Sequence, residues 1–134
     1  MKDKIKLMSI GNRKAKAEDS KSWAETVEHF APDMYELFYG VAGKDAYKKV
    51  SELQPEIILL LTVVEDSDIK KGLQMVQEMR QLSPQTMIFV VFDVLDDEEA
   101  VFDEYIACGA YKCYASPVIM NAVFHDMYVA LNLE

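Results

Sequence analysis

The stretch "LQPEIILLLTVVEDSD", Leu53 to Asp68, decides the fold. Pro55 ends whatever precedes it, because its ring blocks helix continuation. From Glu56 to Val64 every residue but Glu56 and Thr62 is apolar. An apolar run this short, without alternation, fits a strand buried on both faces in a parallel sheet. The acidic residues Glu65, Asp66 and Asp68 then mark a loop at its carboxyl end. In α/β sheets that end is where ligands and reactive groups collect. Leu60, Leu61 and Thr62 occupy the tip, where a carboxylate would give the strand a chemical role.

Working outward, "TMIFVVFD" (Thr86 to Asp93) is a second strand of the same kind. "KIKLMSI" (Lys4 to Ile10), "MYELFYGV" (Met34 to Val41) and "YKCYA" (Tyr111 to Ala115) supply three more. Between them lie helical patterns. "AEDSKSWAETVEHF" repeats Trp23, Val27 and Phe30 at helical spacing, and Ser22 with Glu25 offers a capping box. "GKDAYKKVSEL" lines up Ala46, Val50 and Leu53; "SDIKKGLQMVQEMRQL" lines up Ile69, Leu73, Val76 and Met79. "DDEEAVFDEYIAC" opens with acidic residues, which suit the positive end of a helix dipole, and Gly109 is its natural C′ residue. "PVIMNAVFHDMYVALNL" starts on Pro117 and sets Val123, Met127 and Leu131 on one face. Five strands thus alternate with five helices. The pattern predicts one domain over residues 1–134, an α/β doubly wound three-layer sandwich. Its five-stranded parallel sheet should take the order 2-1-3-4-5, the flavodoxin-like arrangement.

Composition narrows the function. The chain has 134 residues, 51% of them hydrophobic and 28% charged, enough for a sizeable core. The net charge of −9 opposes nucleic-acid binding, which needs a basic footprint. Its one basic cluster, Arg13, Lys14 and Lys16, is offset at once by Glu18 and Asp19. No apolar run reaches the roughly eighteen residues of a membrane span. The charged start does not read as a signal peptide, so a cytoplasmic protein is expected. Cys108 and Cys113 stand five apart without a nearby histidine, which fits two packed thiols better than a zinc site or a disulfide.

The segments "PEIILLLTVVEDSDIKKGL", "SPQTMIFVVFD" and "CGAYKCYASPV" together resemble the receiver domain of two-component response regulators, the CheY-like family. The resemblance covers nearly the whole chain and is weakest before Met34. It implies a signalling scaffold whose usual reaction needs an acidic pair after the first strand to hold Mg²⁺. It also needs a phosphoacceptor Asp, a Thr or Ser, and a Lys. Carried over residue by residue, the acidic pair falls on Ser9 to Asn12, the acceptor on Leu61, the Thr/Ser on Phe92 and the Lys on Ser116. The aromatic switch position falls on Cys113, and a shift of one residue puts Thr62 at the acceptor. None of these side chains performs the family's autophosphorylation. The resemblance therefore implies a degenerate, or pseudo, receiver: a phosphorylation-independent protein-interaction module, not an enzyme, with no cofactor. It also implies a cis Ser116–Pro117 bond.

Several readings stay open beside this one. Asp66, Asp68 and Asp93 are weak candidates for a divalent cation on the strand-end rim, or simply helix N-caps. The fourth helix, fifth strand and fifth helix form the family's usual partner or homodimer face. Here it would draw on Phe102, Tyr105, Tyr111, Tyr114 and His125, although Phe102 and Tyr105 equally suit packing onto the sheet. The alternative function is small-ligand binding in a crevice relined by Leu61, Thr62 and Phe92, on a scaffold like that of cobalamin-binding domains. Those domains carry a His loop after the first strand, and "GNRKAKAED" has no histidine. His29 and His125 belong to no nucleophile constellation, and no phosphate-binding glycine motif is present.

Overall fold

The computed structural model describes residues 4–11, 25–29, 33–41, 44–62, 66–92, 98–115 and 120–131. Strands β1 (Ile5–Gly11), β2 (Tyr35–Val41), β3 (Ile57–Thr62), β4 (Met87–Phe92) and β5 (Lys112–Ala115) form one sheet in the order β2-β1-β3-β4-β5. Every neighbouring pair runs parallel. Helix α1 is described over residues 25–29; α2 (Lys44–Leu53), α3 (Asp66–Leu82), α4 (Glu98–Cys108) and α5 (Met120–Ala130) follow. The expected alternation and strand order are both present. Within the described residues, element ends differ from the sequence reading by one to three residues, as fraying ends commonly do.

Side chains that alternate along the strands build two cores. On one face Met8, Ile10, Ile58, Leu60, Ile88, Val90, Phe92 and Cys113 meet Ala46 and Val50 of α2, Met75, Val76 and Met79 of α3, and Tyr105 of α4. On the other face Leu7, Ile57, Leu59, Leu61, Phe89 and Val91 meet Val27 of α1 and Val123 and Met127 of α5. Helices therefore cover both sides of the sheet, giving three layers. This explains the lack of alternation in β3: Ile57 to Leu61 are all buried because both faces are dry.

Two helix ends are set by backbone chemistry. Gln54 follows α2 at φ 48°, and its N–H donates to the Val50 carbonyl at 3.0 Å, an αL cap closed by Pro55. Gly109 follows α4 at φ 121°. Its N–H reaches Ile106 O and the Ala110 N–H reaches Tyr105 O, both at 3.0 Å, which is a Schellman motif.

The amino ends of β3 and β4 are tied by polar side chains. Thr86 Oγ1 donates to the Pro55 carbonyl at 2.6 Å and lies 2.5 Å from Ser83 Oγ, which lies 3.1 Å from Gln54 Oε1. Gln54 Nε2 donates to the Ser51 and Leu82 carbonyls, each at 2.8 Å. Arg80 Nη1 donates to the Thr86 carbonyl at 2.9 Å. Near the opposite ends, Leu61 of β3 and Phe92 of β4 are apolar and buried.

Candidate functional site

The carboxyl ends of β3 and β4 hold the positions that sequence reasoning singled out. Leu61 is 3% exposed and pairs in register with Gly11 and Val91. It packs with Leu59, Phe89, Val91 and Met127 on the α1/α5 side. Phe92 is fully buried on the α2/α3/α4 side, with its ring 5.0 Å edge-on from Tyr105 and 5.7 Å stacked on Phe102. The register sets Thr62, not Leu61, opposite Phe92. Leu61 and Phe92 thus pack on opposite faces of the sheet. Both positions are filled by their own side chains.

Cys113 lies on β5 in the same core as Phe92, and burial pushes its thiol up to about 12. At neutral pH it is a protonated, unreactive thiol. Ser9 is buried within β1, and its Oγ has no hydrogen-bond partner among the described residues. Ile10 and Gly11 are likewise buried strand residues, and Asn12 lies outside the described residues. Asp66 and Asp68 fall in the first turn of α3. Asp93, Ser116 and the Ser116–Pro117 bond lie outside the described residues. Among the described residues, no group of three His, Cys, Asp or Glu side chains is arranged to hold a metal ion.

The face formed by α4, β5 and α5 separates the five aromatic and histidine candidates. Tyr111 is 51% exposed, with its ring 5.2 Å from Phe89. His125 is exposed, and Phe102 and Tyr114 are half-buried. Of the two roles open to Tyr105, surface and core, the structure gives it the core. It is fully buried, because a glycine on α3, Gly72, leaves a notch that receives its ring. The notch was readable only as a glycine inside a good helix pattern, a costly choice that signals close approach.

Sequence reasoning missed the clamp that joins β5 to α5. Lys112 Nζ and Tyr114 Oη both donate to Asp126 Oδ2 at 2.7 Å. Burial alone would raise the Asp126 carboxyl. The hydrogen bonds from Lys112 and Tyr114, with the Lys112 charge, outweigh it and hold the carboxyl below its usual range. Burial, and then the hydrogen bond to Asp126, pushes the Tyr114 hydroxyl far above its usual range. The clamp leaves Tyr111 and His125 on the surface of one braced unit.

No protein-family model matches the chain, and no curated protein does either. Solved structures do. A response regulator from Burkholderia pseudomallei with a phosphorylated aspartic acid is 17% identical at a TM-score of 0.65; the match covers 91% of this chain and 65% of that one. A receiver domain protein (CheY-like) from Methanospirillum hungatei is 15% identical at a TM-score of 0.68, over 97% of this chain and 95% of that one. The beryllofluoride-activated NtrC4 receiver domain dimer is 18% identical at a TM-score of 0.70, over 93% and 94%. At such identities the likeness concerns architecture. With the strand order and the two covered faces, it establishes that this chain has the CheY-like fold of response regulator receiver domains.

Proposed function

We propose that residues 1–134 act as one phosphorylation-independent protein-interaction module, a pseudo-receiver working in the cytoplasm without catalysis. The observation that carries this reading is Phe92. A fully buried ring, held by Phe102 and Tyr105, occupies the position where the receiver pattern has a small hydroxyl. A hydroxyl there reads an incoming phosphoryl group; a phenyl ring fills the space and offers no hydrogen bond. Leu61 and the buried Ser9 to Gly11 segment agree with it, since neither supplies an oxyanion ligand for Mg²⁺. The surface offered to a protein partner is the α4–β5–α5 face, where Tyr111, Ile106 and His125 are exposed on a braced support. Tyr105 has no part in that surface, because it belongs to the core.

One experiment with two arms tests the reading. Thermal melting with Mg²⁺ and beryllofluoride should match melting without them; a raised melting temperature would overturn the claim of phosphate independence. Tyr111→Lys should keep the wild-type melting temperature and weaken capture of the cognate partner; undiminished capture would remove this face from the proposal.

A further inference from the structure

The sheet has a second edge, far from β5. Among the described residues, strand β2 lies outermost and pairs on one side only, with β1. Its seven residues, "YELFYGV", include no proline and no lysine, the usual devices that blunt an edge. The direction of its backbone follows from one hydrogen bond. The Ile5 N–H donates to the Met34 carbonyl at 3.0 Å, so even-numbered residues here turn their amides toward β1. Tyr35, Leu37, Tyr39 and Val41 therefore turn theirs outward. Tyr39 is also 49% exposed, although it is a large aromatic side chain.

Beside this edge lies a groove of about 280 Å³, lined by Met8 and Gly40 of the sheet and Asp45, Ala46 and Lys49 of α2. It exists because Gly40 has no side chain; the nearest atom to a Cβ there would be the Met8 methyl, 4.0 Å away. Glu36 shares the strand face of Gly40, because side chains two and four apart point the same way. Glu36 and Lys49 are both exposed, and neither has an ion-pair partner among the described residues.

We propose that two copies of this chain associate by antiparallel pairing of β2 with β2, with the twofold axis at Phe38. That register pairs the whole strand with itself. Leu37 faces Tyr39 of the other copy and Tyr35 faces Val41, and these outward-turned residues exchange about eight main-chain hydrogen bonds. It also sets Glu36 of each copy across from Gly40 of the other. The carboxylate then enters the groove that the glycine leaves and meets Lys49, twice by symmetry. Registers centred on Leu37 or Tyr39 leave strand residues unpaired and put a side chain other than Glu36 over Gly40. The two sheets become one continuous ten-stranded sheet. The interface is separate from the α4–β5–α5 face and does not depend on it.

Sedimentation equilibrium at raised ionic strength, where the −9 charges of the two copies are screened, should show a monomer–dimer equilibrium. Amide exchange at Leu37 and Tyr39 should slow as concentration rises. Glu36→Lys and Lys49→Glu should each raise the dissociation constant by about tenfold or more, and the double charge swap should restore most of it. Melting temperatures of the dilute variants should stay at the wild-type value, since both residues are exposed. A monomer at all concentrations overturns the proposal. So does a dimer in which Leu37 and Tyr39 amides stay fast while those of β5 become protected.

Discussion

The place of a side chain at Gly72 is taken by the Tyr105 ring. A Cβ there would run into the Tyr105 hydroxyl and lie 3.1 and 3.3 Å from two ring carbons. Gly72→Ala gains up to about 1 kcal/mol in helix propensity. Overpacking costs about 1–3 kcal/mol, and the ring is fully buried with an edge-on contact to Phe92. The variant should therefore lose stability in chemical denaturation. Adding Tyr105→Phe should recover part of that loss; a Gly72→Ala protein as stable as wild type would contradict the notch. At this scale the sequence was partly legible. That Leu61 and Phe92 are apolar residues near the tips of two buried strands could be read from the sequence alone. That the two face opposite ways could not, because it depends on strand register, to which a non-alternating apolar run gives no clue.

Between elements, the Asp126 carboxylate binds β5 to α5. Asp126→Asn keeps the shape but loses the charge, and should lower stability by about 0.5–1 kcal/mol, as for a partly exposed pair. The sign of the pH dependence follows from the lowered carboxyl. The clamp's contribution is fully present above the unfolded Asp value of about 3.9, and fades as pH falls through the lower folded value. Denaturation midpoints of wild type and Asp126→Asn should converge in that acidic window and stay apart at neutral pH. Helices were legible from apolar spacing, but which side of α4 faces down was not. Val101, Phe102, Tyr105 and Ile106 wrap more than one stripe, and the notch on α3 decides that Tyr105 points inward while Ile106 stays 49% exposed. The Asp126 clamp was invisible for a related reason: Lys112 and Asp126 come together only once β5 and α5 are docked.

For the whole molecule, the order of strands was the most legible feature, because two runs buried on both faces leave few ways to arrange five strands. The two ends of the sheet differ in how they are held. At the carboxyl end of β4, packed rings hold the chain. At the amino ends, Gln54, Pro55, Ser83 and Thr86 form a lattice in which Pro55, Ser83 and Thr86 are buried and main-chain carbonyls accept side-chain hydrogen bonds. A protease needs an extended segment that can leave the surface, and loops pinned at several points do not release one. Brief digestion of the native chain, followed by mass spectrometry, should find the 54–56 and 83–86 connections intact after other bonds are cut. Early cleavage at either would mean the lattice opens in solution. The same lattice makes the amino end a poor place to insert a tag and a good place to anchor the chain to a surface.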